Sequence, residues 1–295
     1  MAFQQLGAFA CLTILMLLGV PPQQTAAQGL FSELKNSVRK PHPRKTKNKG
    51  QNYPEPLTVE PFLNDSFGER FSTLVGGAVI VAVTAPVALP ISIAEDNYQT
   101  PAYFPGYPYQ DDARGYMLFD RPSHNQPFTS EPFNYSIQSS SEYIYYSQDI
   151  SKIGTRFLID TTSRFGIDSE FSYWKESEPG SNSEDFWAGD TNVIFRFAQT
   201  ESFQMRTGIG FNWLSDEVGS DFGFNFTYKG DFFPIDPLVL SAELDLGKIG
   251  SATLSQLRLT TGLNYRHAEI FIGYDHFWLA ETEFNGFISG IRIWF

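Results

Sequence analysis

From about residue 141 to its end, the chain alternates apolar and polar side chains with a period of two, segment after segment. Successive side chains of a strand point to opposite faces, so each such segment builds one apolar and one polar face. In residues 220 to 229, Phe222, Phe224, Phe226 and Tyr228 share one phase, and Asp221, Gly223, Asn225, Thr227 and Lys229 share the other. Residues 238 to 247 set Leu238, Leu240, Ala242, Leu244 and Leu246 against Ser241, Glu243 and Asp245. Residues 253 to 266 set Leu257, Leu259, Leu263 and Tyr265 against Gln256, Arg258, Asn264 and Arg266. Similar alternation at 153–162, 165–174, 186–198, 202–214, 268–278 and 285–295, with a weaker strand near 142–149, brings the expected count to ten, within a range of 8 to 12.

The composition of the polar phase decides which face is inside. In a water-exposed sandwich the outward face is charged and rich in Lys. Here it is Gly, Ser, Thr, Asn and both signs of charge, which suits a crowded lumen. The closing segment GFISGIRIWF keeps Phe287, Ile291, Ile293 and Phe295 in one phase up to the last residue. In a closed barrel that final strand pairs with the first, and acyl chains solvate its outer face. The expected fold is therefore all-β: a transmembrane antiparallel up-and-down barrel spanning 141–295. A mean hydropathy of -0.23 excludes a polytopic helical membrane protein but not such a barrel.

Loop lengths orient it. With the last strand running toward the periplasm, the connections at Ser163–Arg164, 199–201 and 266–267 are short and share that side, whereas ESEPGSNSED and SDEVGS on the other side are longer and acidic. The connection DFFPIDP at 231–237 is expected to break this pattern, being long on the short side. Trp187, Trp213 and Trp278 stand near strand ends in the apolar phase and, with Tyr228 and Phe295, are the expected membrane girdle. Trp174 and Trp294 fall in the opposite phase.

The N-terminal part divides differently. MAFQQLGAFACLTILMLLGV followed by TAAQ reads as a signal peptide over residues 1–27, cleaved near Ala27. Cys11, the only cysteine, lies inside it, so the mature chain would have no thiol chemistry. Residues 28–65 read as a basic disordered segment: between 28 and 52, Lys35, Arg39, Lys40, Arg44, Lys45, Lys47 and Lys49 face only Glu33. Such a segment is expected to reach into the periplasm and to meet an anionic envelope polymer through residues 35–49, not nucleic acid. Residues 66–140 hold an apolar run at 73–94, then Pro- and Tyr-rich irregular chain. The run is long enough for a transmembrane helix. However, Pro86, Pro90 and Gly76-Gly77 weaken a helix, and a stop-transfer helix there would leave the barrel on the wrong side of the inner membrane. A segment buried in the barrel mouth or lying in the interface is the expectation, with a true span as the alternative.

The lumen phase carries Lys152, Arg156, Arg196, Arg206, Lys229, Arg258, Arg266 and Arg292 with Asp160, Asp168, Glu170, Asp190, Asp221, Glu243, Asp245, Glu269 and Asp275, which nearly cancel. Ion pairs are expected above all among Arg156, Arg196, Arg206, Arg258, Arg292, Asp168, Glu170, Glu243 and Asp245, giving a narrow or occluded lumen. Signals for chemistry are thin. His276 stands at the outer rim, but Ser215, Ser251, Glu281 and Glu283 have no spacing that fixes a nucleophile–base pair, so no catalytic residue is assigned. HExxH, EF-hand, P-loop and CxxC patterns are absent, and no metal or cofactor is expected.

The alternating strands and the terminus ISGIRIWF, with a Gly upstream, then alternating apolar residues and a final Phe, resemble small bacterial outer-membrane β-barrel proteins. Ile288 and the run at 73–94 depart from that pattern. The resemblance implies residence in the outer membrane, contact with its lipids and insertion by the barrel-assembly machinery. The expected role is structural, anchoring or binding. A passive channel, a rim lipid-modifying enzyme and an inner-membrane-tethered periplasmic β-sandwich are the alternatives.

Overall fold

The computed structural model describes residues 30–39, 90–92, 94, 101–119, 132–146, 150–176 and 184–295. The signal peptide, most of the basic segment, the apolar run apart from 90–92 and 94, and most of ESEPGSNSED lie outside these residues. Among the described residues no helix is long and apolar enough to cross a membrane.

A helix, α1 (Leu30–Arg39), precedes ten strands: β1 (Tyr135–Tyr146), β2 (Ile150–Thr161), β3 (Phe165–Glu176), β4 (Glu184–Thr200), β5 (Phe203–Ser215), β6 (Ser220–Ile235), β7 (Leu238–Ile249), β8 (Ala252–Tyr265), β9 (Ala268–Leu279) and β10 (Thr282–Trp294). Each strand pairs antiparallel with its sequence neighbours, and β1 pairs with β10 from Gln138↔Trp294 to Tyr146↔Gly286, closing the barrel. A single closed sheet has no edge, which rules out the two-sheet sandwich. The rim that carries the start of β1 and the end of β10 is called lower, and the opposite rim upper.

Phase and face agree along the strands, apart from a shift in β4 after Arg196. Outward positions such as Ile153, Ile167, Val193, Ile209, Phe224, Leu263, Ile272 and Ile291 are exposed, while inward Asp160, Arg196, Asn225 and Asp275 are fully buried. This inverts the usual distribution between surface and interior. An apolar surface that encircles the molecule is solvated by hydrocarbon, not by water.

Three sequence expectations need correcting. First, β1 starts at Tyr135, ahead of the expected limit of 141, because Ser136, Gln138 and Ser140 continue the inward phase. Second, 231–237 is no long loop: β6 runs to Ile235 through a register shift between Phe232 and Ile235, leaving Asp236 and Pro237 as the turn. The lower turns 162–164, 201–202, 236–237 and 266–267 are thus uniformly short. Third, residues 30–39 are not disordered: Leu30, Phe31, Leu34 and Val38 form a helical stripe that needs a partner, and the barrel supplies it.

The face assignment predicts a steep dependence on depth along the outer wall. Ile209, central in β5 and 60% exposed, tolerates no charge. Ile209→Lys is expected to cost about 2–4 kcal/mol in reversible folding into phospholipid vesicles, whereas Ser215→Lys at the upper strand end should cost less than about 1 kcal/mol.

Candidate functional site in the lumen

The inward side chains separate into three tiers. The upper tier is apolar. Tyr146 and Trp174 stack at 5.1 Å with 6° between their planes, and Trp174 stacks on Phe186 at 5.6 Å. Ile144, Ile150, Leu214, Ile249, Leu279 and Phe284 join the same cluster. α1 lowers Phe31, Leu34 and Val38 into it, with the Phe31 ring 4.8 Å from Phe186.

Polar groups of the rim hold both ends of α1. The Phe31 backbone N–H donates to Glu176 Oε2 at 3.1 Å, a carboxylate at the helix N-terminus. At the other end the Ser251 N–H and hydroxyl both donate to the Val38 carbonyl at 2.9 Å, taking up an end group that the helix itself leaves unpaired. Gly250 makes this approach feasible: its φ is +56°, and a Cβ there would stand 2.4 Å from the Val38 oxygen. Lys35 pairs with Glu184 at 3.2 Å, and Arg39 bridges Asp216 at 2.7 Å and Asp221 at 3.1 Å. The Arg39 hydrogen bond, helped by the Val218 and Gly219 N–H donors, holds the Asp216 carboxyl at a pKa of about 2.

The middle tier is ionic. Arg258 reaches Glu142 at 3.1 Å, Glu170 at 3.4 Å and Asp275 at 3.3 Å. Lys152 meets Glu170 at 2.5 Å, while Arg156 and Lys229 both meet Asp168 and Glu243. Lower down, Asp160 is shared by Arg196 and Arg206, and Arg206 also binds Asp231 at 2.5 Å. Arg292 pairs with Glu269 at 3.1 Å. A register shift between Arg196 and Ala198 turns Gln199 inward to accept from Arg196 Nε at 2.7 Å. The cavity left between Arg156, Asp168, Lys229, Glu243, Arg258 and Arg292 measures about 70 Å³, room for a few waters.

The lower tier is aromatic, and the segment 101–119 builds most of it. Ala102, Phe104, Tyr116 and Met117 are buried with Phe233, Val239 and Trp294. The short bridge Tyr103↔Leu118 folds the segment back on itself, Phe104↔Phe133 ties it to the chain just before β1, and Tyr109, Asp111 and Asp112 adopt positive φ to make its turn. Tyr116 lies 4.4 Å from the Trp294 ring and shares a 2.7 Å hydrogen bond with Ser136; burial pushes its phenol pKa up. The segment is irregular in backbone, yet it is a plug.

The structure places the expected residues as follows. Arg156, Arg196, Arg206, Arg258, Arg292, Asp168, Glu170 and Glu243 all lie in the ionic tier. Asp245 faces the lumen but makes no ion pair among the described residues: Lys229 is taken by Asp168 and Glu243, and Asp245 Oδ1 has no hydrogen-bond partner among them. Arg266 is not in the lumen, because it occupies the β8–β9 turn at positive φ with its guanidinium 5.7 Å from the Tyr265 ring. Trp187, Trp278 and Phe295 are exposed on the outer wall, and Trp213 and Tyr228 are half-buried there. Glu142 and Asp231 were missed, Glu142 in the weakest strand segment and Asp231 in the supposed loop. Among the described residues no group of three or more His, Cys, Asp or Glu side chains could hold a metal ion.

No family model matches the chain, and no curated protein matches it. Among solved structures, Neisserial surface protein A covers 54% of this chain and 96% of its own at 9% identity, with a TM-score of 0.31. The Yersinia pestis outer membrane protein Ail covers 54% and 99% at 12% identity, TM-score 0.32, and the KdgM porin 52% and 98% at 11%, TM-score 0.27. Likenesses of this degree say nothing of activity; the architecture stands on its own strand register and on the chemistry of its two faces.

Two variants test the site. Arg258→Met removes the cation shared by four buried carboxylates, Glu142, Glu170, Glu243 and Asp275, and should destabilise the barrel by about 3–5 kcal/mol in denaturant titration. Asp216→Asn should release α1, seen as faster amide exchange over 30–39 with the strands unchanged. Because the folded Asp216 pKa is depressed to about 2, its stabilising contribution is complete above the ordinary Asp value and is lost as pH falls toward 2. The same exchange should therefore rise in wild type only on strong acidification.

Proposed function

We propose that this chain is an outer-membrane β-barrel with an occluded lumen that serves a structural, anchoring or binding role and does not conduct solutes. The observation that carries the reading is the three-tier filling: an apolar cap under α1, a crossed set of ion pairs and an aromatic plug lie in series. A solute would have to break all three, and the middle tier alone holds buried charges whose separation costs several kcal/mol, roughly. Removing α1 would uncover the first tier only. The outer-membrane location draws support from the encircling apolar wall and from the short lower turns, which match the periplasmic turns of such barrels.

The remaining readings keep their place as proposals. Export with cleavage near Ala27 and insertion by the barrel-assembly machinery follow from the same location. The girdle role of Trp187, Trp213, Trp278, Tyr228 and Phe295 fits their outward placement, and Tyr143, Tyr145 and Tyr173 widen the upper belt. An anionic-polymer contact through residues 35–49 would have to use basic groups other than Lys35 and Arg39, which barrel carboxylates already engage.

Planar-bilayer recording of the folded full chain tests the reading. Heat-modifiable gel migration with no step conductance above leak is the expected result, and conductance at the level of an open porin would overturn it.

A further inference from the structure

One polar constellation sits on the wrong face. On the outer wall near the upper rim, His276 pairs directly across the β9–β10 ladder with Asn285, and Trp278 with Glu283. Asn285 Oδ1 accepts from the Tyr274 hydroxyl at 2.5 Å and lies 2.7 Å from His276 Nδ1, while Asn285 Nδ2 donates to Glu283 Oε1 at 3.0 Å. Since Oδ1 can only accept, Nδ1 carries the proton, and in the neutral imidazole Nε2 is left as an outward acceptor. Glu283 has no Lys or Arg partner among the described residues; the His276 ring lies 3.6 Å from it. The Trp278 ring beside it is fixed by its own N–H, which donates to the Ala280 carbonyl at 2.6 Å.

A patch of this kind is costly in hydrocarbon and needs no explanation in water, so its meaning depends on depth. It lies beside an outward Trp at a strand end, the level at which lipid headgroups replace acyl chains. What it offers there is chemically one-sided: a carboxylate, a ring nitrogen with a lone pair and an indole face. Such a set accepts hydrogen bonds and favours positive charge, and an indole beside a carboxylate is a recurrent way of holding an ammonium group. The Tyr274, His276 and Trp278 donors are spent internally, as is one of the two Asn285 amide hydrogens.

We propose that Glu283, Trp278 and His276 form a binding site for the ammonium group of an ethanolamine-type lipid headgroup, with Asn285 and Tyr274 as positioning residues that hold the acceptors outward. This rests on the membrane reading above. It also gives His276 an occupation that requires no nucleophile.

The test is native mass spectrometry of lipid retained by the folded full chain after reconstitution in equimolar phosphatidylethanolamine, phosphatidylcholine and phosphatidylglycerol. Wild type should retain phosphatidylethanolamine about threefold or more over phosphatidylglycerol. Glu283→Gln and Trp278→Leu should each remove that preference while leaving heat-modifiable migration intact. Glu283→Asp, which keeps the charge, should retain part of it. Retention of phosphatidylglycerol equal to or above phosphatidylethanolamine would mean phosphate recognition and overturn the proposal, as would a preference that survives Glu283→Gln. Failure of wild type to insert into vesicles at all would instead contradict the membrane reading.

Discussion

Closure between β1 and β10 is the constraint on which the rest of this molecule depends. In hydrocarbon an unpaired backbone N–H or C=O costs several kcal/mol, roughly, so a sheet can stand there only if its first and last strands complete each other's ladders. The register from Gln138↔Trp294 to Tyr146↔Gly286 does this. Once the ring is closed, the two phases of every strand acquire fixed fates. The Phe, Ile and Leu phase must face outward, and the phase with Asp, Arg and Asn must share a confined interior.

That interior then sets its own problem. About eight strands give a lumen that side chains alone can fill, and ten give more room than that. The chain solves this with extra elements at both ends. α1 brings Phe31, Leu34 and Val38 to the upper rim, and 101–119 brings Phe104, Tyr116 and Met117 to the lower. Between these apolar seals the buried charges are screened from water, which makes each unpaired ion expensive and explains why Arg258 and Arg156 serve several carboxylates each. The tiers are also linked, since the Tyr146 hydroxyl of the upper aromatic stack donates to Asp275 at 2.6 Å and Asp275 accepts from Arg258.

The strands were legible because period two is a direct image of two-faced geometry, and the inverted chemistry of the faces pointed to the barrel. Ends and plugs were harder. Composition hid α1: Leu30, Phe31, Leu34 and Val38 have helical spacing, but the seven basic residues between 28 and 52 read as a disordered leader. The Pro and Tyr residues of 101–119 predict an irregular backbone correctly, yet nothing in a local pattern says that an irregular segment will be buried at a barrel mouth. In β6, DFFPIDP at 231–237 reads as a long connection, whereas a register shift carries the strand through it to Ile235 and delivers Phe233 to the plug. Asp245 shows the limit of phase reasoning: alternation places a side chain on a face but does not choose its partner.

The central claim is that the apolar phase faces acyl chains. Nitroxide labels at Val193, Ile209, Phe224 and Ile272, introduced one at a time in a Cys11→Ser background and reconstituted in bilayers, test it most directly. Relaxation enhanced by oxygen but not by a water-soluble nickel complex at all four positions is the predicted result. Enhancement by the nickel complex, or protection from both reagents as in a packed core, would contradict it.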